Sequence, residues 1–163
     1  MVANADLYHF GVLQSTMHMA WMRTTAGRMK SDYQYSAQIV YNNFPWPNLE
    51  KNQAVAQSNR AQAAPKTGVK TSIEAAAQAV LDARAQFPDS SLADLYDPLT
   101  MPPALVKAHQ KLDAAVDKAY ELHGAVPAKK SYKNDAERVA YLFELYQRLT
   151  SLLPTEITKK KRR

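Results

Sequence analysis

The second half of the chain holds three stretches in which apolar residues recur every three or four positions. Such spacing places apolar side chains on one face of a helix. The stripes run through residues 73–87, 105–119 and 139–153, and a proline or a proline pair lies at their ends. Proline cannot continue a helix but is tolerated in its first turn. Three helices packed antiparallel are therefore the simplest arrangement for this half.

Local signals refine these boundaries. Thr71 or Ser72 is expected to cap the first helix, and Ser91 a short helical turn that runs through Tyr96. Pro102 and Pro103 suit the first turn of the second long helix, which Gly124 should end. The last helix is expected from about Asn134 to Leu153.

The first half follows a different pattern. Residues 10–26 have helical spacing, and Gly27 is a plausible stop. Residues 28–44 are rich in Tyr, Ile and Val, which predicts extended structure with a strand across Ser36 to Tyr41. The run Phe44-Pro45-Trp46-Pro47 then ends the strand, and its aromatics, like Trp21, are expected to pack in the core. The predicted fold class is mainly α, with a small α/β N-terminal portion before an antiparallel three-helix bundle.

Composition divides the chain into four parts. Residues 1–48 form the α/β portion, 49–71 a polar linker, 72–158 the helical domain and 159–163 a basic tail. The net charge of +6 belongs mostly to that tail, which holds five of the 21 basic residues and leaves 16 basic against 15 acidic residues. A short Lys/Arg run supplies non-specific phosphate affinity, or it is only a solubilising terminus.

The sequence lacks the motifs of an independent enzyme. Its four glycines are far apart, so no phosphate-cradling or cofactor-binding glycine loop is expected. Its four histidines lack the spacing of metal ligands. The segment Met101-Pro102-Pro103-Ala104 lacks the polar residue and the aromatic that flank the two prolines in amino-group DNA methyltransferases. The absence of cysteine fits a cytoplasmic protein, and no apolar run is long enough for a membrane span.

Three segments resemble one family in the same order. The run HFGVLQSTMHMAWMRTTAGRMKSDYQYSAQIVYNNFPWP, residues 9–47, resembles the end of the target-recognition domain in large single-chain DNA methyltransferases, including MmeI-like type II restriction–modification proteins. Residues 80–120 and 137–149 resemble the helical segment that follows it in that family. Residues 48–71 and the basic tail lie outside the resemblance.

The resemblance implies a parent enzyme that methylates the adenine amino group with S-adenosylmethionine. In the family an endonuclease and a methylase precede the recognition domain, and this sequence contains neither. We expect the chain to be non-catalytic and to bind no cofactor itself. Its expected partners are double-stranded DNA and an upstream methylase domain or subunit. A truncated gene product, a split subunit and a recombinant fragment all remain open.

The sharpest hypothesis concerns Lys30, Asp32 and Gln34. In an extended chain, positions two apart face the same side. Lysine donates to guanine and aspartate accepts from cytosine, so Lys30 and Asp32 would suit one G·C pair. The alternative is a solvated surface ion pair. The predicted DNA-backbone contacts are Arg23, Arg28, Tyr33, Lys159, Lys160, Lys161, Arg162 and Arg163, although Arg28 could equally cap the preceding helix.

A second hypothesis is a protein-interaction module. The narrow apolar seam on the 102–120 helix and the nearly neutral body suit helices that dock on a catalytic subunit or on a second copy of the chain.

Overall fold

The computed structural model describes residues 5–49, 67–124, 126–129 and 132–151. Its elements are α1 (Leu7–Gln14), α2 (Thr16–Thr25), β1 (Gly27–Met29), β2 (Asp32–Gln34), a π-helix (Ala37–Tyr41), α3 (Thr67–Ala85), α4 (Leu92–Leu95), α5 (Pro103–His123) and α6 (Asp135–Thr150). The predicted fold class, mainly α with a small α/β N-terminal portion, is confirmed. The two strands form an antiparallel hairpin.

The single helix predicted over residues 10–26 is two helices that meet at Ser15. Ser15 is fully buried, and its hydroxyl donates to the Val12 carbonyl at 2.6 Å and accepts weakly from the His18 amide. Asp113 of α5 accepts from both the backbone amide and the hydroxyl of Thr16, at 2.7 and 2.6 Å. A carboxylate at a helix N-terminus satisfies amides that have no partner within the helix. This tertiary contact explains why helical periodicity alone missed the break.

The strand predicted across Ser36 to Tyr41 is wrong, because this segment is the π-helix. The Asn42 amide donates to the Ala37 carbonyl at 2.9 Å, the i→i+5 bond of that helix type. Trp21 of α2 donates its indole N–H to the Val40 carbonyl at 3.0 Å, and Val40 is fully buried. Tertiary contacts with the buried Trp21 therefore override the strand preference of the β-branched residues.

The helix ends of the second half follow the sequence signals closely. Ser91 caps α4, Pro103 begins α5, Gly124 follows α5, and Asn134 caps α6. The start of α3, the first of the three helices predicted for this half, differs from the prediction. Helix α3 begins at Thr67, so neither Thr71 nor Ser72 caps it. Pro154 lies outside the described residues. Because capping residues act on neighbouring backbone groups, the ends of α4, α5 and α6 named above could be predicted from the sequence.

The three C-terminal helices do not form a bundle by themselves. The apolar seam of α5 is buried against α3, and α1 packs mainly against α3 through a close approach at Gly11. Helix α6 packs mainly against α2, where Trp21 contacts the rings of Phe143 and Tyr146 at centroid distances of 5.1 and 6.0 Å. The structure thus differs from the expected arrangement, because the N-terminal helices complete the core.

The segment Phe44–Pro47 lies against that core. Phe44 and Trp21 are buried, as predicted, whereas Trp46 is half-buried among Tyr8, His9 and Tyr41. Tyr120 of α5 donates to the Pro45 carbonyl at 3.0 Å. None of the helices in the described ranges is long and apolar enough to cross a membrane.

Candidate nucleic-acid interface

The hairpin of β1 and β2 stands outside the core. The two strands pair with Gly27 opposite Gln34, Arg28 opposite Tyr33, and Met29 opposite Asp32. All six strand residues are exposed, as are Lys30 and Ser31 in the turn. We name residues 27–34 the ribbon. Since neither of its faces is covered by the described part of the chain, the ribbon is accessible to a partner.

Strand pairing gives the ribbon two chemically different faces. Residues directly opposite each other in an antiparallel pair project to the same side, and successive residues alternate. Arg28 and Tyr33 therefore share one face, and Met29, Asp32 and Gln34 share the other. Arg28 donates to the Tyr33 hydroxyl at 2.7 Å, and its guanidinium carbon lies 4.4 Å from the Tyr33 ring centroid.

The geometric premise for Lys30 is wrong. Lys30 has φ 56°, so it lies in the left-handed region and belongs to the turn, not to an extended strand. Strand alternation therefore does not align Lys30 with Asp32, although it does align Asp32 with Gln34 in β2. Non-glycine residues adopt this region rarely, and backbone strain of this kind is commonest at functional sites. Whether these residues read bases remains a prediction.

The predicted backbone contacts occupy different surroundings. Arg28 lies in β1 and stacks on Tyr33, so it does not cap α2 as the alternative required. Arg23, in the last turn of α2, donates to Asp135 in the first turn of α6 at 2.7 Å. Both partners of that pair are exposed, so Arg23 ties α2 to α6 and can still meet a phosphate. The basic residues Lys159 to Arg163 lie outside the described residues.

The ribbon is joined to the core through Tyr35 and His18. The Tyr35 hydroxyl and His18 Nε2 are 3.1 Å apart. The His18 and Phe44 rings meet edge to face with their centroids 4.6 Å apart. His18 is almost completely buried, and burial lowers its pKa to about 4. Burial also raises the pKa of Tyr35, with a smaller contribution from Tyr41. A neutral histidine therefore anchors the chain where it leaves β2.

Sequence reasoning missed two exposed residues beside the predicted site. Met29 is 62% exposed on the ribbon, and Tyr35 is 50% exposed while it anchors the ribbon. An apolar or aromatic residue in a short segment is usually assigned to the core, and only the strand register shows that Met29 lies on an exposed face of the ribbon.

Two other polar clusters are held by hydrogen bonds within the chain. Tyr96 is bonded to His109 Nε2 at 2.6 Å and to Arg84, which also donates to Gln14. His9 completes the capping box of α1 with Asp6. Across the described ranges, no group of three or more His, Asp or Glu side chains is arranged to hold a metal ion.

Two family models match the chain. The one described as the MmeI target recognition domain covers residues 1–48, and the one described as the MmeI C-terminal domain covers residues 65–154. The chain therefore combines a target-recognition domain and a C-terminal domain of the MmeI type, and the ribbon lies inside the target-recognition match. The chain belongs to the MmeI family.

Individual relatives agree with this assignment. DNA methyltransferase A of Bacillus subtilis (strain 168) is 39% identical over 150 residues, which are 92% of this chain and 14% of that protein. A solved structure of the type IIL restriction–modification enzyme MmeI in complex with DNA aligns with a TM-score of 0.72 at 46% identity. That alignment covers 91% of this chain and 17% of the other. The chain thus spans about one sixth or less of the length of each relative.

Proposed function

We propose that this chain is the non-catalytic DNA-recognition and helical part of an S-adenosylmethionine-dependent adenine DNA methyltransferase of a restriction–modification system. In this proposal the chain binds double-stranded DNA and takes up no cofactor itself. A methylase domain or subunit in the cytoplasm holds S-adenosylmethionine and performs the methyl transfer. Family membership and the match of residues 1–48 to a target-recognition domain support the proposal.

The observation that carries the proposal is the exposure of the ribbon on both faces. A two-stranded hairpin without a covered face is only marginally stable in water. An exposed ribbon therefore suits a role in which a partner completes its environment. The major groove of B-DNA is wide enough to admit a two-stranded β-ribbon.

The side chains around the ribbon suit contacts of two kinds. Lys30 in the turn would donate to guanine, Asp32 would accept from cytosine N4, and Gln34 would pair with adenine. Lys30 and Asp32 flank Ser31 at the exposed tip of the ribbon. Arg23, Arg28, Tyr33 and the basic tail would contact phosphates.

Deleting Lys159–Arg163 should weaken binding to all duplexes about equally. Each phosphate contact that is lost should reduce the slope of log affinity against log salt by roughly 0.9. A fluorescence-anisotropy titration at several salt concentrations measures that slope, with a variant carrying five alanines at 159–163 as the length-matched control. An unchanged slope would mean that the tail does not touch DNA. If the intact chain binds no duplex even at about 50 mM salt, the proposed function is wrong.

Lys30→Gly should remove one base preference without disturbing the turn. Glycine adopts φ 56° freely, so the hairpin is retained or slightly stabilised while the ammonium donor is lost. We expect discrimination at one base pair to fall by about 1–3 kcal/mol. The measurement is sequencing of methylated sites from a family methyltransferase that carries this chain in place of its own segment. Lys30→Arg, which keeps a donor for guanine, is the control. Full preference at every position in the glycine variant would make Lys30 a surface charge.

The interaction-module hypothesis has lost its main support. The α5 seam that suggested a free docking face is used within the chain, where Leu105, Leu112 and Val116 are fully buried.

A further inference from the structure

We propose that the two strands of the ribbon read DNA with one face only, the face of Met29, Asp32 and Gln34, beside Lys30 of the turn, and that Met29 is a specificity residue that contacts a thymine methyl group. This inference rests on the proposed function and deepens it, because it assigns the reading face. It also adds a residue that the sequence pattern did not single out.

The chemistry of the two faces differs in the way that base reading requires. Base edges in the major groove are distinguished by hydrogen-bond acceptors, donors and the thymine methyl group. Asp32 supplies an acceptor, Gln34 a donor and an acceptor, and Met29 an apolar group. Among the residues that the structure describes, no side-chain hydrogen bond engages Asp32 or Gln34.

The opposite face is already occupied by its own contacts. Arg28 and Tyr33 are held against one another by the 2.7 Å hydrogen bond and the stacked guanidinium. A base reader on this face would have to break that pair, whereas a phosphate can still reach the outer guanidinium N–H groups. The pair therefore stiffens the ribbon and leaves its other face to the bases.

Space on the reading face is also favourable. A Cβ added to Gly27 would meet nothing within 4 Å, so the position opposite Gln34 is open. The Met29 side chain is 62% exposed to water, and covering an exposed methionine with an apolar partner lowers the free energy. A thymine methyl group is such a partner in the major groove.

The register predicts which positions of the DNA site each residue affects. Met29 is directly opposite Asp32, so the two side chains should address neighbouring base pairs, Asp32 a G·C pair and Met29 an A·T pair. Gln34 lies two residues further along β2, about 6.8 Å away at 3.4 Å per residue. Because the phosphates of each DNA strand also repeat about every 3.4 Å, that distance corresponds to about two base-pair steps.

The test is selection of bound duplexes from a random-sequence library by the 163-residue chain and by single variants. We expect Met29→Ala and Asp32→Ala to relax preference at adjacent positions by about fivefold or more, and Gln34→Ala to act about two positions away. Arg28→Ala should weaken binding on all sequences without moving a preference. Ile39→Ala, which removes a comparably exposed apolar side chain outside the ribbon, is the matched control and should change nothing.

Uracil in place of thymine tests the methyl contact directly. The wild-type chain should prefer thymine over uracil at one position, and Met29→Ala should lose that difference. Unchanged melting temperature and helical circular dichroism would show that these exposed substitutions leave the fold intact. A wild-type chain that selects no sequence would overturn the proposed function. A wild-type chain that selects a site whose preferences move with Arg28→Ala, and not with the other three variants, would overturn the face assignment alone.

Discussion

Asp117→Ala should lower the free energy of unfolding by about 3 kcal/mol or more, the usual cost of leaving one charge of a buried pair alone. Asp117 of α5 accepts from Arg138 of α6 at 3.2 Å, and both side chains are nearly buried. Burial raises the pKa of Asp117, and Arg138 offsets only part of that rise. Arg138 Nε already has no partner among the described residues. Removing the carboxylate therefore leaves the guanidinium nearly buried without a counter-charge.

Two controls make the Asp117 result specific. Lys118→Ala on the same helix breaks an exposed ion pair with Glu121 and should change stability by less than about 1 kcal/mol. The double variant Asp117→Leu/Arg138→Met removes both charges and should regain most of the loss. Urea denaturation followed by circular dichroism measures all three. A loss below about 1 kcal/mol for Asp117→Ala would mean that water reaches the pair.

Stability should also fall as the pH is lowered from about 6.5 to about 4, and His18 should account for about 3 kcal/mol of that fall. Burial lowers the His18 pKa from 6.5 to about 4 in the folded chain. Between these pH values His18 is largely protonated in the unfolded chain but largely neutral in the folded chain. The full stability is therefore present above pH 6.5 and is lost progressively toward pH 4.

Variants separate His18 from the other titrating groups. His18→Phe keeps a ring against Phe44 but cannot titrate, so its unfolding free energy should lose most of this pH dependence, whatever its absolute value. Tyr35→Phe removes the 3.1 Å contact, keeps the buried imidazole and should retain the slope. The measurement is a set of urea transitions between pH 4 and 8. Equal slopes in wild type and His18→Phe would show that the imidazole titrates normally.

Local signals in the sequence were sufficient for the fold class and for four helix ends, but not for the start of α3. Ser91, Pro103, Gly124 and Asn134 act through neighbouring backbone groups, so their effect is visible in a short window. The break at Ser15 depends on Asp113, 97 residues away from Thr16, and no window includes both. The π-helix at 37–41 depends in the same way on the Trp21 indole N–H.

The sequence indicated which segment to consider as the candidate site, but not the geometry of that segment. Family resemblance and residue chemistry directed attention to residues 30–34, where the ribbon lies. The hairpin turn at Lys30 could not be foreseen, because neither Lys30 nor Ser31 is a residue type that favours positive φ. With the turn unknown, the register was unknown, and Met29 could not be distinguished from a core residue.

The packing of α6 on α2 sets where sequence can be exchanged between relatives. A hybrid with its junction near residue 48 would take Trp21 and Arg23 from one parent. Their partners, Phe143, Tyr146 and Asp135, would come from the other parent, so each parent would contribute half of the interface. Such hybrids must restore complementarity across the new boundary before they can fold well. Exchange of the exposed residues 27–34 alone leaves every one of those contacts in place. New specificities should therefore arise more readily by replacement of the ribbon alone than by exchange of all residues up to about 48.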